Sequence, residues 1–148
     1  FSRIMSLKNG SKKMSKSDLS DQSRINLTDD KDLIVNKIKK AKTDPLPLPA
    51  NIEGLTDRPE AKNLLGIYSS LTNSSLDNSV NEFNGKNFSE FKDKLSEVLV
   101  EKINPISSEI KRLTEDKSFL DEILLDGQKR ANNIASNKLQ KMQEIIGF

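Results

Sequence analysis

The sequence contains no cysteine and no histidine. Without cysteine there is no disulfide and no thiolate-held metal. Without histidine there is no imidazole base, no Ser-His or Cys-His nucleophile pair, and no histidine zinc ligand. Tryptophan is absent too, and aromatic residues make up only 5%. No apolar run approaches the roughly 20 residues that a membrane-spanning helix needs. Nor is there an excess of one charge: 24 Lys and Arg against 22 Asp and Glu leave +2, which argues against a polybasic nucleic-acid binder. What remains is chemistry by Lys, Ser, Asp, Glu and backbone amides. The 148 residues suffice for one ordinary domain with a sizeable core and are too few for two large ones. No signal peptide is recognisable and the first residue is Phe1, which predicts a processed or excised piece of something longer.

The charge is unevenly spread. Residues 1–43 carry 11 basic and 5 acidic residues, a net +6, and the remainder 13 basic and 17 acidic, a net −4. An anionic partner is therefore expected at the front. Arg3 to Leu7 alternates polar and apolar like a strand end. Lys8-Asn9-Gly10-Ser11 is a turn signal, and 8–24 reads as an exposed, mobile loop with little apolar surface to hold it down.

From residue 28 the pattern is helical. Thr28 or Asp29 can cap a helix to about Thr43, with Ile34, Ile38 and Ala41 on one stripe and lysines near its end to suit the dipole. Pro45, Pro47 and Pro49 make 44–56 an extended linker. Asp57 as N-cap, Pro59 in the first turn and Glu60 in the capping-box position start a helix whose stripe is Ala61, Leu64, Leu65, Tyr68 and Leu71. A short helix over about 75–84 stops at Gly85. Phe88 to Leu113 forms a long amphipathic run that Pro105 should kink or split. A last helix starts near Asp116, with Gly127 in its apolar stripe where it permits close helix contact. Strand signal is nearly absent after residue 28. The expected fold is mainly α, a bundle of four or five helices led by a strand and a loop.

One short segment carries chemistry: Lys13-Met14-Ser15-Lys16-Ser17. Two lysines three apart, separated by small hydroxyl residues, form a flexible anion clamp. Their ammonium groups neutralise phosphates as charge moves in phosphoryl or nucleotidyl transfer. Ser15 and Ser17 hydrogen-bond phosphate oxygens or shape the loop, and a mobile loop closes on a nucleotide and reopens for product. Lysines in a polar run are ordinarily just a solvated loop, so the pentapeptide needs its context.

The pentapeptide matches the KMSKS signature of class I aminoacyl-tRNA synthetases letter for letter. Arg3 to Leu7 ahead of it, with Lys12 and Asp18 flanking it, resembles the tryptophanyl-tRNA synthetase version. Ile25 to Asp44, Arg58 to Tyr68, Phe88 to Ile106 and Phe119 to Phe148 resemble that family's following helices in order, so the resemblance covers essentially the whole chain. Tyrosyl-tRNA synthetases share the loop and match the helices less well.

The resemblance implies the following. These enzymes activate tryptophan with ATP and Mg2+ to the adenylate and transfer it to tRNA(Trp), as homodimers. Residues 1–28 would be the end of the Rossmann catalytic domain, its last strand and KMSKS loop, and 29–148 the helical anticodon-binding domain. Lys13 and Lys16 would be the catalytic residues, holding the triphosphate and departing pyrophosphate. Met14, Ser15 and Ser17 would complete the ATP site, with Ile4 at the adenine-side backbone contact. Mg2+ would arrive on the nucleotide, with no protein metal ligand. The family's HIGH-like motif needs a histidine that this chain lacks, so the tryptophan pocket and main dimer interface are expected in an N-terminal half outside it. Alone the piece is expected to be inactive. The competing reading is a non-catalytic helical module whose loop binds RNA phosphate. Richness in Lys, Asn, Ile and Ser suggests an AT-rich genome and the cytoplasm of a bacterium, with a mitochondrion or other organelle as the alternative.

Other residues are read more plainly. Tyr68, Phe88, Phe91 and Phe119 are expected in the core, and Phe148 at a frayed end. Lys37, Lys39, Lys40 and Lys42 are expected as a solvated helix end open to tRNA phosphate. Lys111, Arg112, Lys129 and Arg130 are candidates for the anticodon stem, again with solvation as the default. Asp121, Glu122 and Asp126 make no metal site without partners.

Overall fold

The computed structural model describes residues 3–147; the expectation for Phe148 lies outside them. A short hairpin leads. Met5–Ser6 (β1) and Asn9–Lys13 (β2) pair antiparallel, Met5 opposite Lys13 and Ser6 opposite Asn9, with an irregularity between Met5 and Ser6. The turn falls on Leu7 and Lys8, and Gly10 lies inside β2. Its lack of a side chain serves a close approach rather than a turn. A β-carbon there would lie 2.5 Å from the main-chain nitrogen of Glu60, so the strand docks backbone to backbone.

Beyond the hairpin, a turn of 3-10 helix covers Asp21–Ser23. The stretch 8–24 is thus structured in part, correcting the loop expectation. Polar groups do the holding where apolar surface is scarce. The Arg24 guanidinium donates to the Asp18 carbonyl at 3.0 Å and to Asn26 Oδ1 at 3.0 Å, and pairs with Asp21 at 3.1 Å.

The first helix is Lys31–Lys39 (α1), capped by Asp30, whose side chain accepts from the Leu33 amide at 2.8 Å. Thr28 and Asp29 are therefore not the cap. Ile34, Ile38 and Ala41 are buried, as their spacing requires. In the stretch expected as an extended linker, Leu48 and Leu55 are buried and Glu53–Leu55 forms a 3-10 turn, so the segment is packed down and its end is not extended.

Helix Pro59–Leu71 (α2) starts on proline, as predicted. Its N-cap is Arg58, without a side-chain capping bond, in place of Asp57. Arg58 instead turns back to grip Asp44 with two bonds of 2.9 and 2.6 Å. Glu60 makes no capping box; it reaches Lys42 at 2.9 Å. Helix Leu76–Glu82 (α3) is capped by Ser75 at its start and by Phe83 at its end; Gly85, left-handed at φ +71°, lies two residues past that cap, so it does not itself stop the helix as expected.

Helix Phe88–Glu115 (α4) opens on Asn87, whose Oδ1 accepts from the Glu90 amide at 2.9 Å. Pro105 does not split it. One missing rung is tolerated because the rungs on either side persist. Helix Lys117–Ile146 (α5) opens on Asp116, as predicted, and ends on left-handed Gly147.

The chain divides into two compact units, Phe1–Ser108 and Glu109–Phe148. The core belongs to the first. There Tyr68, Phe83 and Phe91 meet edge-to-face, with centroids 5.0 Å (Tyr68–Phe83) and 4.8 Å (Phe83–Phe91) apart, and Phe88 is buried beside them. In the second unit no described residue of α5 is buried. Phe119 is 41% exposed, against its expectation as core. No atom lies within 4 Å of where a Gly127 β-carbon would be, so that glycine serves no close contact among the described residues. An amphipathic stripe specifies a face that wants covering; it does not supply the cover.

Candidate nucleotide-binding loop

Lys13 is the last residue of β2, and the pentapeptide leaves the sheet at that point. The Met14 amide donates to the Ile4 carbonyl at 3.1 Å. Met14 packs its side chain against the core, anchoring the start of the loop. Past it the chain is tied by small local bonds. The Ser15 and Ser17 hydroxyls lie 3.0 Å apart, the Ser17 amide donates to Ser15 Oγ at 3.3 Å, and the Asp18 amide donates to the Ser15 carbonyl at 3.3 Å. The structure thus gathers Ile4, Lys13, Met14, Ser15, Lys16 and Ser17 at one end of the hairpin.

Lys13 and Lys16 are both exposed. Among the described residues neither is ion-paired. Three other cations nearby are ion-paired. Lys12 faces Asp18 at 3.7 Å, Arg24 pairs with Asp21, and Lys42 with Glu60. Asp18 also accepts from the Ser20 amide at 2.9 Å. That bond, with help from the Lys12, Lys8 and Arg24 charges and against partial desolvation, holds its carboxyl below the usual aspartate value. The loop therefore presents two unneutralised ammonium groups and two hydroxyls to solvent, a donor set suited to a polyphosphate.

Behind the loop sits a buried charge cluster. Lys37 is fully buried and bonds Asp29 at 2.7 Å and Asp21 at 2.6 Å. Asn26 joins it, its amide donating to Asp29 Oδ2 at 2.9 Å and its side chain to Asp21 at 2.9 Å. This corrects the expectation for Lys37, which is no solvated or phosphate-binding residue: its side chain is fully buried against the buried Asp29 and the half-exposed Asp21. Lys39, Lys40 and Lys42 remain exposed.

Three residues that matter to the loop went unread in the sequence. Asn63, 2% exposed on α2, donates from Nδ2 to the Met5 carbonyl and accepts from the Met5 amide at Oδ1, both at 2.8 Å. Arg24 holds the segment after the loop. Gly10 seats β2 on α2. The available signal was slight: an Asn among Leu64, Leu65 and Ile67, and a glycine ambiguous between turn and contact.

The family model for tRNA synthetases class I (W and Y) matches residues 1–105. The chain belongs to that family. Its class I synthetase relatives include the tryptophan–tRNA ligase of Mesorhizobium japonicum, 51% identical over 99% of this chain, and that of Rickettsia felis, 47% identical over the same share. The chain spans 41% of the first and 44% of the second, well under half of either. Among solved structures, tryptophanyl-tRNA synthetase from Campylobacter jejuni complexed with ADP and tryptophan matches with TM-score 0.78 and 25% identity, covering 99% of this chain and 44% of that one. The Mycoplasma pneumoniae enzyme matches with TM-score 0.67 and 27% identity, over 99% of this chain and 44% of its own.

For a class I synthetase segment, the remaining candidates fall into place as follows. Arg112 pairs with Glu109 at 2.7 Å and Arg130 faces Asp126 at 3.6 Å, so two of the four proposed anticodon-stem cations are engaged along their own helices. Lys111 and Lys129 are exposed. Among the described residues no three His, Cys, Asp or Glu side chains are grouped to hold a metal ion, and no helix is long and apolar enough to cross a membrane.

Proposed function

We propose that this chain is the C-terminal part of a tryptophan–tRNA ligase. Residues 1–28 supply the end of its Rossmann catalytic domain, with the ATP loop, and residues 29–148 its anticodon-binding helices. In the complete enzyme the tryptophan carboxylate attacks the α-phosphorus of ATP. An oxygen–phosphorus bond forms to the amino acid, the bond to the bridging oxygen breaks, and pyrophosphate departs carrying the electron pair. The adenylate then passes its acyl group to tRNA(Trp).

The observation that carries this reading is the pair of unneutralised lysines at the end of a docked hairpin. As charge accumulates on the leaving pyrophosphate, Lys13 and Lys16 meet it with ammonium groups that need break no existing ion pair. Ser15 and Ser17 offer hydroxyls, and Ile4, across the hairpin from Met14, borders the adenine side. Mg2+ would arrive on the nucleotide and would neutralise phosphate oxygens there; among the described residues no three His, Cys, Asp or Glu side chains are grouped to hold it. The tryptophan pocket and the homodimer interface belong to the N-terminal half, so the chain alone is inactive. The bacterial relatives favour the cytoplasm over an organelle.

Tryptophan-dependent ATP–pyrophosphate exchange tests the proposal, on the full-length ligase carrying this chain, with tyrosine as control amino acid. Lys13→Ala and Lys16→Ala are each expected to lower exchange by about 100-fold or more, the scale of losing one transition-state charge contact. Exchange unchanged by both substitutions, or absent from a folded full-length protein, would leave the RNA-phosphate module as the better account.

A further inference from the structure

The lysine loop springs from a sheet too small to hold itself. β1 is two residues long and its register with β2 is irregular. An isolated two-stranded hairpin is at best marginally stable, and a short, irregular ladder specifies register weakly. Yet a slip of one residue would move Lys13 by a strand rise of about 3.3 Å and turn it to the opposite face. Something outside the sheet must fix where Lys13 stands.

We infer that Asn63 is the positioning residue for Lys13, through its clamp on the main chain of Met5. Its carboxamide meets both polar groups of Met5, at 2.8 Å each, as a neighbouring strand would. Met5 is the residue that β2 sets opposite Lys13. Connection from helix to lysine is therefore contiguous: Asn63 side chain, Met5 backbone, Lys13. One bond further on, the Met14 amide returns to the Ile4 carbonyl, so both ends of the Lys13–Met14 step are referred to the clamped strand. A second contact fixes the other end of β2. The Gly10 amide donates to Glu60 Oε1 at 3.4 Å, and its bare α-carbon rests on the main chain of Pro59 and Glu60. Two points three residues apart on α2 thus seat both strands.

Packing alone does not call for Asn63. Leu64, Leu65 and Ile67 beside it are buried, and a leucine at 63 would serve the same apolar contact. A buried amide costs stability unless its hydrogen bonds are made, and here two are made to one residue of one strand. Such a group adds little net stability and much geometric specificity. Orientation matters to catalysis because a displacement of about 1 Å at a charge-stabilising group costs orders of magnitude in rate.

This inference rests on the lysine loop acting on ATP, and the test separates the two. In the full-length ligase, Asn63→Leu and Asn63→Asp are compared with wild type, Lys13→Ala, and the double variants, by exchange kinetics in ATP and in tryptophan. Asn63→Leu leaves both Met5 groups unbonded, and Asn63→Asp sets a carboxylate against the Met5 carbonyl. Each is expected to lower kcat/KM for ATP about tenfold while KM for tryptophan stays within twofold. In the Lys13→Ala background the same substitutions are expected to cost less than twofold more, because the residue they position is gone. Thermal unfolding checks that each variant is folded; should the leucine variant not fold, the aspartate variant carries the same readouts. Equal losses with and without Lys13, or equal effects on ATP and tryptophan, would overturn the positioning role and leave Asn63 structural. Wild-type exchange in Lys13→Ala would instead remove the ATP reading itself.

Discussion

Residues 13–17 and residues 18–29 adjoin in sequence and are wired in opposite ways. In the first stretch the lysines stand free and the serines bond mainly to each other. In the second, Asp18, Asp21, Arg24, Asn26 and Asp29 are bonded into one network that closes on buried Lys37. The difference separates two uses of the same residue type. A lysine with its counter-charges in place fixes the chain, and a lysine without them is available to a ligand. Total charge does not distinguish them; partner and burial do.

The largest stability effect is expected where the contrast is steepest. Lys37→Met strands the buried Asp29 carboxylate, and should cost about 3–5 kcal/mol, the usual loss when one partner of a buried pair is removed. Urea unfolding of the chain measures it. Gly10→Ala comes next. Its methyl group meets backbone rather than a yielding side chain, so the hairpin must lift from α2 at a cost of about 1–3 kcal/mol. A smaller loss of midpoint than of exchange activity would show the hairpin moving without unfolding.

Acid should weaken the wired stretch before the core. Hydrogen bonds from Lys37 and then Asn26 hold the Asp21 carboxyl below its ordinary value. A carboxyl depressed by folding adds stability that is full above its unfolded pKa and is lost as pH falls toward the folded one. The urea midpoint should therefore fall from about pH 4 downward, and Lys37→Met should flatten that slope. The smallest effect belongs to the free stretch. Lys16→Ala should change the unfolding free energy by no more than about 0.5 kcal/mol, though the same change is expected to collapse exchange.

Sequence pattern made the helices legible because burial follows the 3.6-residue period: Ile34, Ile38, Ala61, Leu64 and Leu65 are where the stripes place them. Helix starts were less legible. Asp29, Asp30 and Asp57 are chemically alike as caps, and the choice among them depended on Lys37 and Asp44, remote partners that periodicity does not register. The loop was legible by type, since Lys-Met-Ser-Lys-Ser names its own donors. Its support was not. Asn63 is 58 residues from Met5, and no local rule pairs an amide on a helix with the backbone of a strand. Gly10 misled because glycine serves turns and close contacts equally well. Lys37 misled because a basic residue in the last turn of a helix is ordinarily solvated.

Tyr68 has a consequence of another kind. It is the one tyrosine in a chain without tryptophan. It is 4% exposed and its hydroxyl donates to Glu82 Oε1 at 2.9 Å. Burial, and then the Glu82 carboxylate, push its pKa up to about 12. All the intrinsic ultraviolet fluorescence of tyrosine type therefore comes from one address in the aromatic cluster, next to a carboxylate that quenches a hydrogen-bonded phenol. The chain carries its own unfolding dye: emission should brighten as α2 and α3 part, and phenolate absorbance should stay silent until the alkaline limb at which the fold gives way.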